Sequence, residues 1–210
     1  MQIDLIQQPS NQKEEIASFI TDTLVKDGQI PESQQDIYRY LFDYLFESLL
    51  FDVITLIIGL VTHRFGIALC YILVTIPLRH FAGGFHAGSP LMCTILSYGI
   101  YMLILFSAPY LIKLPDFIWI PVYVVMWLFI LMVAPVDCPN KRLLPEQKKR
   151  LFKLCILSCI VISIIFIILR INGAILYVAS ISECLTVCTI GLYIGIFRNR
   201  KQKQLSQEDS

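Results

Sequence analysis

The sequence predicts an all-α protein, a polytopic membrane helical bundle of about six transmembrane helices. Of the 210 residues, 56% are hydrophobic and only 16% are charged, and the mean hydropathy is +0.68. Soluble domains usually carry about 25% charged residues, whereas six spans of about 20 residues would occupy about 120 residues. This composition excludes a soluble enzyme domain, a disordered chain and a nucleic-acid binder with a broad basic surface.

Residues 1–47 predict amphipathic helices that precede the membrane domain. Apolar side chains recur at helical spacing with acidic residues between them, and Gly28 and Pro31 separate two such stretches. The segment has three basic and nine acidic side chains, a balance of −6. Because this acidity disfavours adhesion to anionic lipid, we expect a cytoplasmic segment that packs on the bundle or binds a partner.

Six apolar segments follow and define a predicted transmembrane domain over residues 48–197. They cover residues 48–62, 65–79, 90–112, 117–135, 151–170 and 174–197. The last four are long enough to cross a hydrocarbon core of about 30 Å. The first two are short, and Asp52 interrupts the first, so they either borrow flanking residues or form a shallow hairpin. Residues 198–210 are predicted to form a polar cytoplasmic tail.

The basic residues orient these spans. If residues 1–47 face the cytoplasm, 14 of the 17 Lys and Arg residues lie on the inner side of the membrane and three lie on the outer side. Basic residues are concentrated in cytoplasmic connections, so we expect a multi-pass cell-membrane protein with both termini in the cytoplasm. The inner connection 136–150 is predicted to be a basic loop, since residues 137–153 have a charge balance of +4.

Candidate chemistry is concentrated in the cytoplasmic connection 79–93, between the second and third spans. It contains two of the three histidines, His80 and His86, together with three glycines and the pair Ser89-Pro90. Ser and Pro favour the N-cap and the first position of a helix, which would place Cys93 in the first helical turn. There the helix dipole favours a thiolate, and free amide groups favour an oxyanion.

Two kinds of site fit these residues. Cysteine with histidine is the minimal pair for thiol acyl transfer, and the reducing cytoplasm would keep the thiol free. The alternative is a zinc site formed by His80, His86 and Cys93, although their spacing matches no common ligand pattern. The seven cysteines include no CxxC pair and mostly lie in apolar segments, so we expect no disulfide framework.

Two segments resemble the accessory gene regulator B family of membrane peptidases. The first is Arg79…Gly83-Gly84-Phe85-His86-Ala87…Cys93, and the second is Ala134-Pro135-Val136-Asp137-Cys138-Pro139-Asn140-Lys141. Chain length, the amphipathic start and the multi-span layout also agree. The resemblance therefore covers nearly the whole chain, and it implies a bacterial cysteine endopeptidase that processes a quorum-sensing peptide precursor and takes part in virulence regulation.

Carried over by position, the resemblance implies roles for individual residues. Cys93 would be the nucleophile and His86 its general base. The precursor would be cleaved near its C-terminal end through a thioester, and a precursor cysteine would then close a thiolactone ring. Supporting residues would be Arg79, Gly83, Gly84 and Asn140. The candidates for orienting His86 are Asn140, Glu183 and Asp52. No cofactor and no metal are implied.

The expected partners are a precursor signal peptide with an amphipathic start and an acidic tail, the lipid bilayer, and a second copy of the chain in a homodimer. Nucleic acid is not expected. Docking of the acidic tail is assigned to five basic residues: Lys141, Arg142, Lys148, Lys149 and Arg150. The alternative is that these residues only set the topology and attract anionic headgroups.

Two other functions remain open from the sequence. One is a small transporter or exporter with Glu183 on its substrate path, because an ionisable residue at membrane depth is usually functional or paired. The other is a non-catalytic membrane partner of a signalling kinase. An enzyme would need Cys93, whereas a transporter would tolerate its loss. The aromatic residues Trp119, Tyr123 and Trp127 are expected to form an interfacial belt and to pack helices together.

Overall fold

A computed structural model describes residues 12–83, 90–136 and 145–208, and the regular structure in these ranges is helical throughout. The α-helices are α1 (Gln12–Lys26), α2 (Gln35–Val61), α3 (Phe65–Phe81), α4 (Pro90–Leu111), α5 (Asp116–Val133), α6 (Pro145–Ile171) and α7 (Ile175–Glu208). A short 3-10 turn, Glu32–Gln34, precedes α2. The all-α prediction is confirmed, and α2 to α7 correspond to the six predicted apolar segments.

The described chain forms two compact units, Met1–Ile54 and Thr55–Ser210. In the first unit α1 ends at Lys26, and Gly28, which is predicted to break the chain there, has a φ of +69° that turns it out of the helix. The Gln35 side chain, at the start of α2, donates a hydrogen bond of 2.7 Å to the Asp22 carboxylate of α1. The two amphipathic stretches are therefore separate helices joined by a short turn.

The predicted boundary at residue 47 falls inside a helix. Residues 35–61 contain no proline to interrupt them, and α2 runs without a break through Asp52 to Val61. Its 27 residues extend over about 40 Å, which is more than the hydrocarbon core requires. Of the two alternatives for the first apolar segment, the structure therefore shows the one in which it borrows residues on its N-terminal side.

Within the described residues, four helices are long and apolar enough to cross a membrane: Glu32–Val61, Met92–Leu111, Pro145–Ile171 and Ile175–Arg198. Phe65–Phe81 is short, as predicted. The apolar part of α5, Ile120–Val133, is shorter than the predicted segment 117–135. The helix ends at Val133 because Pro135 disfavours helical geometry at the residue before it.

The last two helices extend beyond the apolar segments that predicted them. Pro145 begins α6 and Glu146 lies in its first turn, both favourable at a helix N-terminus. Residues 145–150 of the predicted basic loop 136–150 are therefore helical, which corrects that prediction. The predicted tail 198–210 likewise continues α7 as far as Glu208. At 34 residues, α7 is about 51 Å long.

Helix α7 is the central element of the second unit. It packs against α3, α4, α5 and α6, and half of its apolar span is buried, a larger share than in the other spans. Fully buried side chains such as Ile181 and Leu185, one turn apart on the same face of α7, lie in its packed interior. Large apolar side chains such as Leu103 and Phe106 of α4 point outward, as expected for a surface that contacts lipid.

Two aromatic clusters hold neighbouring helices together in the second unit. Tyr101 of α4 is fully buried, and its hydroxyl donates to the Thr55 carbonyl of α2 over 3.1 Å. Tyr123 of α5 stacks on Phe166 of α6 with ring centroids 4.0 Å apart, and Trp127 meets it edge-on. Tyr123 and Trp127 thus pack helices together, as expected, while the Trp119 side chain lies outside the described residues.

Candidate functional site

Cys93 lies in the first turn of α4, the fourth residue of a helix that begins at Pro90. This confirms the helix start that Pro90 predicts. The Cys93 side chain is half-buried, so its sulfur is partly shielded by protein and partly accessible. The amide groups of a first helical turn have no partner within the helix, and the positive end of the dipole lies at the same place. Both features favour a negatively charged sulfur or oxygen at this position.

The guanidinium of Arg79 binds the Cys93 sulfur. Arg79 lies in the last turn of α3, and its Nη2 atom donates a hydrogen bond to Cys93 Sγ over 2.9 Å. The other terminal nitrogen, Nη1, donates to the Ser97 hydroxyl over 2.7 Å. A planar guanidinium can engage two acceptors at once in a fixed geometry. The guanidinium is therefore oriented by two hydrogen bonds, one to the Cys93 sulfur and one to the Ser97 hydroxyl. We call this pair of hydrogen bonds the Arg79 fork.

A second set of hydrogen bonds holds Ser97, the second acceptor of the Arg79 guanidinium, in place. The Ser97 hydroxyl donates to the Cys93 carbonyl over 2.8 Å, one turn back along α4. The Tyr71 hydroxyl of α3 donates to the Ser97 carbonyl over 3.0 Å. Tyr71 and Ser97 are both buried. The sequence analysis did not identify these two residues, although Ser97 lies four positions after Cys93 and Tyr71 lies eight before Arg79, spacings that share a helix face.

The two motifs quoted for the family resemblance meet in space. The Val136 amide, just after α5, donates to the Ala82 carbonyl, just after α3, over 2.9 Å. Gly83 follows with a φ of +77°, and a β-carbon there would come within 2.5 Å of the Val136 carbonyl oxygen. The chain needs glycine here for two reasons, a left-handed backbone and a close approach. This accounts for the predicted turn role of Gly83.

His80 contacts its own helix α3 in the structure. Its side chain is exposed, and its Nδ1 atom lies 2.9 Å from the Ile76 carbonyl oxygen of the preceding turn. His86, Gly84, Asn140, Lys141 and Arg142 lie outside the described residues, so their predicted roles stay predictions. The zinc alternative also depends on His86. Among residues 12–83, 90–136 and 145–208, no three His, Cys, Asp or Glu side chains form a metal-binding group.

The described members of the predicted docking patch are Lys148, Lys149 and Arg150, which we name the α6 basic cluster. They lie in the first two turns of α6. Lys149 and Arg150 are exposed and Lys148 is half-buried. Basic side chains at a helix N-terminus are unfavourable for the helix dipole, so their position is not explained by the stability of α6 alone.

Glu183 is remote from Cys93. One of its carboxylate oxygens accepts a 2.5 Å hydrogen bond from Ser107 of α4, and the other is buried without a partner in the described part of the chain. Ser107 follows Cys93 by 14 residues on the same helix, which separates them by about 21 Å. The structure therefore does not bring Glu183 to the end of α4 where the fork from Arg79 lies.

Comparison with known proteins identifies the family. The sequence pattern of the family described as Accessory gene regulator B matches residues 17–198. AgrB-like protein 2 of Clostridium perfringens (strain 13 / Type A) is 29% identical over 146 residues, 67% of this chain and 68% of the relative. An AgrB-like protein of Clostridium perfringens (strain SM101 / Type A) is 27% identical over a stretch of the same length and coverage. No solved structure matches.

The matched range begins within α1, ends within α7 and includes Arg79, Gly83, Cys93 and Ser97. It also includes both motifs that meet at Ala82 and Val136. Since the match covers most of the sequence and every described site residue, this chain belongs to the Accessory gene regulator B family.

Proposed function

We propose that this chain is a membrane cysteine endopeptidase that cleaves a precursor signal peptide near its C-terminal end and promotes its cyclisation to a thiolactone autoinducer for quorum sensing. The observation that carries the proposal is the 2.9 Å hydrogen bond from Arg79 Nη2 to the Cys93 sulfur at the start of α4. Family membership supports the same activity. A cation and a helix N-terminus that meet at one cysteine favour its reactive, ionised form.

Acylation begins when His86, as general base, takes the proton of the Cys93 thiol and leaves a thiolate. The sulfur attacks the carbonyl carbon of the scissile peptide bond, and the oxygen of the tetrahedral intermediate becomes an oxyanion. The positive end of the α4 helix dipole lies beside this oxygen and favours its negative charge. The C–N bond then breaks, His86 returns the proton to the leaving amine, and the N-terminal part of the precursor remains on Cys93 as a thioester.

Ring closure is a second transfer on the same sulfur. A cysteine thiol within the bound precursor loses its proton to His86 and attacks the thioester carbonyl. A new S–C bond forms in the ring, the bond to the Cys93 sulfur breaks, and Cys93 leaves as a thiolate beside Arg79. Because one thioester is exchanged for another, the chemical step needs no ATP. Water has to be excluded, since hydrolysis of the acyl-enzyme would release a linear peptide.

Because successive spans cross the membrane in opposite directions, the site and the α6 basic cluster should lie on the same side of the membrane. The end of α3 and the start of α4 flank the site, and the end of α5 contacts the end of α3 through Val136 and Ala82. Helix α6 starts nine residues beyond Val136. This side carries most of the basic residues, which marks it as cytoplasmic. A precursor with an acidic tail would meet the α6 basic cluster there.

The test is processing of a short precursor peptide with an internal cysteine and an acidic tail by full-length variants in membranes. We expect normal cleavage by wild type, slow cleavage by His86→Ala, and background cleavage by both Cys93→Ser and Cys93→Ala. Serine should fail because a hydroxyl ionises far less readily than a thiol. Cys159→Ala, which removes a buried thiol on α6, is the matched control and should cleave normally. Full cleavage by Cys93→Ala would end the peptidase proposal.

A transporter is the second candidate function, and Glu183 is the observation that favours it. A carboxylate at membrane depth with one buried, unpartnered oxygen in the described structure is costly unless it is used. If this chain moves a substrate, Glu183→Gln should stop transport into sealed vesicles, while Cys93→Ala should leave transport unchanged. The two substitutions thus separate the two functions.

A further inference from the structure

A cavity of about 90 Å³ lies among α3, α4 and α7, next to the Arg79 fork. Its walls include Leu78 and Arg79 of α3, Leu96 and Ile100 of α4, and Val187 and Gly191 of α7. The sequence analysis and the proposed mechanism make no use of it. The cavity is also the part of the second unit where the three helices leave space beside otherwise well-packed residues such as Leu78, which is 1% exposed.

The cavity lies one helical turn from the nucleophile. Leu96 and Ser97, which line it, follow Cys93 by three and four residues, so they lie on the same face of α4. Arg79 both lines the cavity and donates to the Cys93 sulfur. In an acyl-enzyme the side chain of the acylating residue starts two bonds from the thioester carbonyl carbon. Such a side chain reaches a space about 5–6 Å along the helix.

Among the described residues of the lining, every hydroxyl group already donates a hydrogen bond. The hydroxyl groups of Tyr71, Thr75 and Ser97 donate to the carbonyls of Ser97, Tyr71 and Cys93, over 3.0, 2.6 and 2.8 Å. Arg79 directs its two terminal nitrogens at Ser97 and Cys93. The remaining walls are largely aliphatic. A polar side chain placed here would lose its hydrogen bonds to water without replacement, so the cavity favours an apolar one.

The volume of the cavity limits the size of the side chain that it can hold. An apolar cavity of about 150 Å³ accommodates benzene, and this cavity, at about 90 Å³, is smaller. A branched aliphatic side chain of three or four carbons fits, whereas an indole ring does not. We propose that this cavity binds the side chain of the precursor residue that acylates Cys93, and that it selects a medium-sized aliphatic side chain there. The inference rests on the proposed function and adds the substrate class to it.

Gly191 provides a way to fill the cavity without a clash. It lines the cavity, and a β-carbon added to it would meet no atom within 4 Å. A leucine at this position would therefore project into the open space. Gly99 of α4 is the matched control, because a β-carbon there also meets nothing within 4 Å and Gly99 is exposed on the outer face of α4, away from this cavity.

The probes are N-acetyl-aminoacyl chloromethyl ketones with Ala, Leu or Trp side chains. The Cys93 sulfur attacks the chloromethyl carbon, an S–C bond forms and chloride leaves, so each probe places its side chain next to the alkylated sulfur. Rates are measured by mass spectrometry on full-length protein in detergent and divided by the rate with iodoacetamide, which carries no side chain. Each buried carbon is worth about fourfold, so the Leu probe should react about 50-fold faster than the Ala probe. The Trp probe should gain no such advantage.

Gly191→Leu should reduce the Leu-to-Ala ratio to about one, and Gly99→Leu should keep it at about 50-fold. If Gly191→Leu protein does not fold, Gly191→Ala removes the space of one carbon and should lower the ratio about fourfold. Three results would overturn the proposed pocket. They are no preference for the Leu probe in wild type, an unchanged Leu-to-Ala ratio in the Gly191 variants, and alkylation of Cys188 in place of Cys93. Failure of the proposed function would give a different result from failure of the pocket, namely precursor cleavage by Cys93→Ala.

Discussion

Replacing Arg79 with methionine should slow alkylation of Cys93 about 30-fold at neutral pH. The Nη2–Sγ hydrogen bond of 2.9 Å joins a cation to the sulfur, and hydrogen bonds to charged groups contribute about 1.5–3 kcal/mol. Two unit charges about 4 Å apart near a protein surface attract by up to about 4 kcal/mol, but the half-exposed sulfur reduces this through solvent screening. A loss of about 2 kcal/mol corresponds to the predicted 30-fold decrease in thiolate reactivity.

Because the Arg79 guanidinium bonds to both Ser97 and Cys93, different substitutions should slow the alkylation of Cys93 to different extents. Arg79→Lys keeps the charge, but one ammonium group cannot reproduce the planar fork to Ser97 and Cys93, so about a fivefold decrease is expected. Ser97→Ala leaves the cation but removes its second acceptor, and the expected decrease is likewise about fivefold. Arg64→Met is the matched control, because Arg64 binds the Leu105 carbonyl, 12 residues from Cys93 on α4.

The assay follows iodoacetamide alkylation of full-length protein in detergent, with the modified cysteine located by peptide mapping. Helical content and the thermal unfolding midpoint of each variant show whether it is folded. If folded Arg79→Met alkylates at the wild-type rate, the guanidinium does not stabilise the thiolate. In that case Arg79 has only a packing role and the helix N-terminus alone activates Cys93.

Gly83→Ala should lower both the thermal unfolding midpoint and precursor processing, because its β-carbon would come within 2.5 Å of the Val136 carbonyl oxygen at a φ of +77°. Gly173 has a φ of +71° and nothing within 4 Å of an added β-carbon, so Gly173→Ala should be destabilised only by the backbone strain of about 1–2 kcal/mol. Equal destabilisation of the two variants would show that the close approach at Gly83 is unimportant. Reversing the α6 basic cluster to Glu should raise the apparent KM for an acidic-tailed precursor with a steep salt dependence, and an unchanged KM in inserted protein would reduce the cluster to a topological role. An impermeant maleimide should label Cys93 only from the cytoplasmic face, so labelling in sealed right-side-out vesicles would contradict the orientation.

The helical architecture and the position of Cys93 follow from local sequence signals. Hydrophobic runs predict the spans, and Pro90 predicts the helix start that places Cys93 in a first turn. Such signals act over a few residues, so one sequence is enough to read them. The same locality explains the errors, since α2 and α6 extend past the ends of their apolar segments. A hydropathy pattern shows where a helix enters lipid and not where its hydrogen bonds begin.

The parts of the site that the sequence did not predict depend on contacts between helices. Ser97 is separated from Arg79 by 18 residues and becomes its partner because α3 and α4 pack against each other and on α7. The contact between Ala82 and Val136 joins segments that are 54 residues apart. The cavity beside the fork depends on three helices at once. A single sequence records the residues of such contacts but not the packing that brings them together.

The central claim is that Cys93 carries the precursor as a thioester. The direct measurement is mass spectrometry of full-length protein stalled with a precursor whose ring-closing cysteine is replaced by alanine, so that the acyl-enzyme accumulates. The account predicts one adduct per chain, with the mass of the N-terminal precursor fragment, on Cys93 and on no other of the seven cysteines, and released by hydroxylamine. Cleavage of this precursor with no adduct on Cys93, or an adduct on another cysteine, would contradict it.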